Sequence, residues 1–317
     1  MAANLTTTSQ VDDAVGVFYD RILARAVPEY IYERFGQERQ IPKGRSDTIK
    51  WRRYTALSAA TTPLAEGITP PGSQLAKTDL TAKVSQYGDY VHVTDWVDLT
   101  VEDPVLTETA VLENEQLMLT RDTLCRNIMV ACASNTNASN GSNGQSPTEI
   151  AQTDVDNVVI ALLGGNAKPI TKVVTAGSGQ GTAPIPGAFM GLCHTDLLTS
   201  LEACVKFKYV HEYPQQNAAM VAEWGSTGHV RWLYSSNGDR TLGTPDSYKN
   251  IIVGQESYGI VSIAGSQITS IVKGFNAGDK SDPLNQRTTM GWKMTYVARI
   301  LNDAFMHKLT STNKAGS

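Results

Sequence analysis

The chain has 317 residues, 41% hydrophobic and 18% charged, with a formal net charge of −4. That is enough apolar material for one large or two medium domains, and the slightly acidic balance excludes a chain that wraps nucleic acid through overall basicity. No run of about 18 apolar residues is present to span a bilayer, and Met1 opens on the polar MAANLTTTSQ rather than on a secretory signal.

Residues 10–36 predict an arm, VDDAVGVFYDRILARAVPEYIYERF, with helical segments broken at Pro28 and with Phe18, Ile22 and Leu23 along one side. Gly36 and QERQIPKGRSD predict an exposed connection. A strand follows at about 47–57, DTIKWRRYTAL, rich in β-branched and aromatic residues. The next stretch, SAATTPLAEGITPPGSQLAKT, has almost no periodicity. The chain then returns as one longer strand, DLTAKVSQYGDYVHVTDWVDLT, where Leu80, Ala82 and Val84 alternate with polar residues. Together these predict a long hairpin with a large tip. A structureless tip of that size does not suit a compact domain, so another molecule is expected to hold it.

Residues 103–134 predict one long helix. Asp103 can cap it and Pro104 suits its first position. Leu106, Ala110, Leu117, Leu124, Ile128 and Ala131 recur at helical spacing, with Val111, Met118 and Cys132 widening the stripe. Glu108, Glu113, Glu115, Arg121, Asp122 and Arg126 fall on the opposite face. At 1.5 Å per residue such a rod is about 45 Å long, a beam along which something must lie.

The polar tract NTNASNGSNGQSPTE predicts a flexible surface loop. A second helix is expected over 153–164, capped by Thr153, with Val155, Val158, Val159, Leu162 and Leu163 as its apolar face and Gly164–Gly165 as its stop. KPITKVVTAG predicts a strand. PGAFMGLCHTDLLTSLEACVKF predicts a buried strand, a cap at Thr195 or Asp196, and an amphipathic helix. Residues 208–240 read as a compact α+β lobe, followed by the strand-like IIVG, YGIVSIAG and ITSIVKGF and the turn NAGDKSDPLNQ. RTTMGWKMTYVARILNDAFMHKL predicts a final long strand ending in a short helix.

Signs of chemistry are few. GSGQGT at 177–182 has the glycines of a phosphate cradle, but Ala-Pro-Ile-Pro follows and no helix N-terminus faces it, so it predicts a turn. His211-Glu212 lacks the second histidine of a zincin helix. Cys193 and His194, as strand neighbours, point to opposite faces, which rules out a nucleophile–base contact within that pair. Glu223-Trp224-Gly225 and Arg231-Trp232 set charges beside aromatics and predict packing or cation–π roles. Cys125, Cys132, Cys193 and Cys204 lack CxxC spacing and predict free thiols. The expectation is therefore a protein that is not an enzyme, with no catalytic residue, cofactor or metal.

The opening VDDAVGVFYDRILARAVPEYIYERFGQ, the hairpin TIKWRRYTALSAATTPLAEGITP with YGDYVHVTDWVDL, and the pieces MGLCHTDLLTSL and EWGSTGHVR follow one another in a telling order. This order resembles the HK97-like major capsid proteins of tailed bacteriophages, and the sequence looks closest to the phage N4 major capsid family, from about Val11 to Leu309. PLAEGITP beside KWRRY is the most specific signal. The resemblance implies an α+β HK97-like capsid fold: residues 1–45 as the N-arm, 46–99 as the E-loop, and 100–186 as the peripheral (P) domain with a spine helix at 103–134. Residues 187–250 would be the axial (A) domain and 251–317 the return to the P domain and the tail.

It further implies pentamers and hexamers of self-assembled copies, forming an icosahedral head around a double-stranded DNA genome. The expected location is the virion, after assembly in the host bacterial cytoplasm. Portal, scaffolding or decoration proteins are implied partners, packaged DNA is contacted without sequence specificity, and no membrane is involved. No large scaffolding segment precedes the arm, so either none is encoded or a separate protein scaffolds. The rival readings are an encapsulin-type nanocompartment shell, marked by a pocket for a cargo tail peptide, and a hydrolase on an α/β scaffold, which lacks a nucleophile–base constellation.

On the capsid reading the tip LAEGITPP, stiffened by Pro63, Pro70 and Pro71, is ordered on a neighbouring subunit. Arg52, Arg53, Leu64, Glu66 and Ile68 are the predicted inter-subunit contacts. Each exposed charge pair adds only about 0–1 kcal/mol, so stability must come from area and repetition. Lys77 lies near the loop, but no acceptor is identified for the Lys–Asn isopeptide bond that some members of the wider fold form.

Overall fold

The computed structural model describes residues 25, 27–64, 66, 67, 69, 72–96, 105–170, 187–213, 220–273 and 286–313. In chain order the elements are β1 (Gln37–Ile41), β2 (Thr48–Tyr54), β3 (Lys77–Lys83), β4 (Ser85–Thr94), the long helix α1 (Val105–Val130), β5 (Asn135–Asn137) and α2 (Gln152–Gly164). Then come β6 (Phe189–His194), a short α3 (Leu198–Glu202), β7 (Phe207–Tyr209), β8 (Glu223–Thr227), β9 (Val230–Ser235), β10 (Asp239–Thr241) and β11 (Ser247–Val253). The last are β12 (Tyr258–Ile263), β13 (Ile268–Lys273), β14 (Arg287–Ile300) and β15 (Met306–Thr312).

Among the described residues, eight strands form one sheet in the order β5-β15-β11-β6-β9-β8-β7, with β10 also paired to β11. Successive residues of a strand point to opposite faces, and here both faces are apolar. Met190, Leu192, Leu233, Ile251, Val253 and Met306 face α1, where Leu117, Cys125 and Met129 meet them. Phe189, Cys193, Val230, Trp232, Ile252 and Leu309 face the other way, onto Val155, Val158, Val159 and Leu162 of α2 and onto Leu197 and Leu201. Gly191 is required beneath Trp232, because a Cβ there would stand 2.5 Å from the indole ring.

The second sheet runs β1-β12-β14-β13, with β4 paired to β14 as well. Its Tyr258, Ile260, Trp292, Met294, Tyr296 and Ala298 enter the same core as the inner face of α1. The helix is thus the beam shared by both sheets. A third core of Ile41, Val84 and Val261, with Ile49 and Trp51 packed on it, fixes the base of the β2–β3 hairpin.

Several expectations are corrected. Residues 37–41 are a paired strand rather than a connection, although Glu38, Arg39 and Gln40 are exposed as expected: β1 pairs in parallel with β12, and Ile41 is drawn into that third core. Residues 27–36 are turns and extended chain rather than helix. The returning strand breaks at buried Val84, so that β3 stays with β2 while β4 crosses to β14 from Ser85 opposite Tyr296 to Thr94 opposite Arg287.

The inner face of α1 also differs. Ala110, Val111 and Ala131 are exposed, whereas Glu113 and Asp122, expected on the solvent side, are buried. The cause at Asp122 is the segment crossing it: its carboxylate accepts from Tyr32 N (2.9 Å) and Asn237 Nδ2 (2.8 Å). The Tyr258 hydroxyl donates to Tyr32 O (2.7 Å) from beyond.

The polar tract after α1 is a built turn. Buried Asp154 accepts from Ser139 N (3.2 Å), Gly141 N (2.6 Å) and Ala151 N (3.0 Å); Ala151, not Thr153, is the N-cap of α2, and Asp154 in the first turn holds its N–H. Leu163 is exposed, since it points away from the sheet. His194, rather than Thr195 or Asp196, caps the turn before α3, its Nδ1 accepting from Asp196 N (3.1 Å). The final run holds two strands with a single 3-10 turn, Asp303–Phe305, between them rather than one strand ending in a helix, because residues 306–312 fill the gap between β5 and β11.

Phe18, Ile22, Leu23, Ile68, Pro70, Pro71, Asp103 and Pro104 lie outside the described residues. So do the glycine-rich turn at 177–182, the turn at 276–285, and all but the start of the strand expected at 168–177.

Candidate assembly surfaces

Alternation along β2 sets Lys50 and Arg52 on one face of the hairpin and Ile49, Trp51 and Arg53 on the other. Asp79 lies directly across from Arg52. Arg52 Nε meets Asp79 Oδ1 at 2.9 Å and Lys50 Nζ meets Oδ2 at 2.8 Å. Hydrogen bonds from Arg52, then Lys50, push the Asp79 carboxyl down to about 2. Arg52 therefore has a partner within its own chain, while Arg53 stands exposed on the opposite face.

Leu64 and Glu66 are exposed farther out, and Leu64 retains 76% of its accessible area. Tyr54, Leu57 and Leu75 are exposed beside them, and sequence reasoning passed over all three. The only available signal was a set of large apolar residues scattered through a proline-rich stretch without periodicity. β2 and β3 pair with nothing but each other among the described residues, so both outer edges of the ribbon are open.

A second open surface lies on the β4–β14–β13 part of the smaller sheet. Tyr90, Val91, Ile268, Ile271 and Val272 are all exposed there, and Trp96 just beyond β4 is 70% exposed.

The end of the larger sheet near β7 and β8 is a closed region instead. Glu223 and Arg231 form a buried pair: Arg231 Nε donates to Oε1 (2.7 Å) and Nη2 to Oε2 (2.6 Å). The same carboxylate accepts from the Tyr213 hydroxyl (2.9 Å) and from Met220 N (2.9 Å), and the guanidinium lies 5.6 Å from the Tyr213 ring centre. Every oxygen is thus satisfied, as a buried ion requires. Burial, chiefly, raises the Tyr213 hydroxyl to about 12. The expected structural role for these charges beside aromatics is what the geometry displays.

The adjacent Cys193 and His194 do part company. Cys193 enters the α2 core with its thiol pushed up to about 12 by burial, while His194 lies tilted against Tyr248, whose hydroxyl donates to Asp196 Oδ2 (2.8 Å). All four cysteines are free and buried. Among the described residues no group of three His, Cys, Asp or Glu side chains is placed to hold a metal ion. No described helix is long and apolar enough to cross a membrane.

No protein-family model matches the sequence, and no curated protein matches it. The fold is recognisable nonetheless: the α+β arrangement of hairpin, beam helix and two sheets is the HK97-like capsid fold. The capsid protein of Ralstonia phage GP4 superposes with a TM-score of 0.71 at 9% identity, over 99% of both chains. The capsid of Cyanophage P-SCSP1u gives 0.63 at 13% identity, over 99% of this chain and 97% of that one. The SrpI encapsulin of Synechococcus elongatus PCC 7942 gives 0.57 at 11% identity, over 98% and 96%.

Proposed function

We propose that this chain is the major capsid protein of a tailed phage, of the phage N4 type, and that its role is structural rather than catalytic. Copies assemble into pentamers and hexamers that form an icosahedral head around double-stranded DNA. The observation that carries this reading is that capsid subunits match the chain end to end, while the chain's own hairpin exposes apolar residues and, among the described residues, leaves both strand edges open. Such a ribbon has little to hold it in a lone molecule and much to offer a neighbour.

In this reading residues 1–45 are the N-arm, 46–99 the E-loop, 100–186 the P domain with its spine, 187–250 the A domain, and 251–317 the return and tail. Arg53, Leu64, Glu66 and Ile68 contact the next subunit, and Arg52 does so while holding Asp79. The portal and scaffolding or decoration proteins are the other partners. The head forms in the host cytoplasm, and the mildly negative wall contacts DNA without reading its sequence.

Negative-stain microscopy of the expressed chain, alone and with a co-expressed scaffold, tests this. Closed or partial shells, or rings of five and six, are expected. A monodisperse monomer under both conditions overturns the proposal. The encapsulin similarity gives the second reading its footing: shells filled with a protein cargo rather than DNA would select it.

A further inference from the structure

Among the described residues, β13 has an open edge with no guard on it. Its sequence is ITSIVK, and all six residues are exposed. One edge pairs with β14 without a register break, from Ile268 opposite Met294 to Lys273 opposite Thr289. Among the described residues nothing pairs with the other edge. Soluble proteins ordinarily blunt such an edge with proline, a bulge or a central charge. β13 has none of these, and its single charge, Lys273, sits at the end. Ile268 and Val272, 49% and 60% exposed, lie on one face of the strand, with Thr269 and Ile271 on the other.

The pattern has a centre at Ser270. Residues directly opposite one another in an antiparallel pair share a face of the sheet. A second copy turned end for end about Ser270 therefore sets Ile268 against Val272, Thr269 against Ile271, and Ser270 against its counterpart. Each unlike pair occurs twice by symmetry, so the strand is complementary to itself, as a two-fold contact demands. The charges agree: each Lys273 falls opposite a neutral Gln267, and no like charges meet.

We propose that the free edge of β13 pairs antiparallel with β13 of a second copy across a two-fold axis at Ser270, joining two five-stranded sheets into one. This contact does not depend on the shell reading, since rings of five or six close through a head-to-tail surface instead.

Ser270→Cys reports the register directly. Opposed Cα atoms in such a pair stand about 4.5–5.5 Å apart, within disulfide reach, and the four native cysteines are buried. On mild oxidation of the full-length chain, S270C yields a covalent dimer on a non-reducing gel, and V272C, which faces Ile268, does not. Adding I268K and V272K to S270C sets lysine directly opposite lysine in both 268–272 pairs and abolishes the crosslink. Adding I268E and V272K instead places opposite charges in both pairs and restores it.

Folded S270C that fails to crosslink, or V272C that crosslinks equally well, overturns the pairing. Microscopy of the same samples keeps the two proposals apart. Particles without the crosslink remove the β13 contact and leave the capsid reading standing, whereas crosslinked dimers without particles do the reverse.

Discussion

The strands β6, β9 and β11, mostly apolar, and the hairpin β2–β3, which carries Lys50, Arg52, Arg53, Lys77, Asp79 and Lys83, end in opposite situations. The first three are covered on both faces by helices, and hardly a side chain of β6 or β9 reaches solvent. The hairpin is exposed along most of its length and anchored only at its base by Ile49, Trp51 and Val84. One region is finished within the chain, and the other is a surface that acquires its packing from outside. Stability and assembly should therefore respond to different residues.

The sharpest separation is expected from Trp232→Ala. This indole is fully buried, and its Nε1–H donates to Thr227 Oγ1 (3.0 Å). Its loss should cost about 3–5 kcal/mol in urea unfolding of the subunit. Asp122→Ala comes next: it strands the Tyr32 N–H and leaves the Asn237 amide only its longer bond to Thr123 Oγ1 (3.3 Å). The expected cost is about 1–3 kcal/mol by the same measurement, with protease cutting near residue 32 as its local sign.

Leu64→Ser inverts the pattern. Because that side chain touches almost nothing in its own chain, subunit unfolding should move by no more than about 0.5 kcal/mol, while the yield of particles falls. A change in unfolding as large as that of the core variants would erase the distinction between the two regions. Glu66→Lys is the companion test, and unaltered assembly and shell stability would remove Glu66 from the contact.

The smallest effect is a titration. The Asp79 carboxyl has a lower pKa in the folded chain than its ordinary 3.8, so its contribution is in place above that value and is lost as pH falls toward about 2. Carbon-detected NMR should find Asp79 titrating near 2, and Arg52→Gln should move it back toward the ordinary range. An unmoved Asp79 would show that the pair is not formed in solution.

The long helix and the hairpin were legible in the sequence because each follows from short-range pattern: uninterrupted helical spacing in one, β-branched runs around a proline-rich gap in the other. The face of α1 that turns inward was not legible. Glu113 and Asp122 look like solvent residues until the chain at Tyr32 is laid across the helix, and that crossing joins positions 90 residues apart. The strands β1 and β15 escaped for a related reason. Gln37–Ile41 and Met306–Thr312 are weakly patterned alone and become strands because β12 and β11 offer open edges. At the candidate surface, Arg52 was legible as a charge at the hairpin base, but its use within the chain depends on a register that brings Asp79 across from it.

The placement of β14 and β15 bears on how the protein is made. β14 is the common partner of β4, β12 and β13, and β15 sits between β5 and β11. Both sheets are therefore completed by residues 287–312, which leave the ribosome long after the hairpin and the beam. Pairing over such distances is slow to form, so a growing chain displays its sticky ribbon before it has a body to carry it. Neighbouring ribosomes on one message would hold many such half-built chains side by side. A chaperone or scaffold that shelters the ribbon until β15 docks would serve synthesis first and construction afterwards.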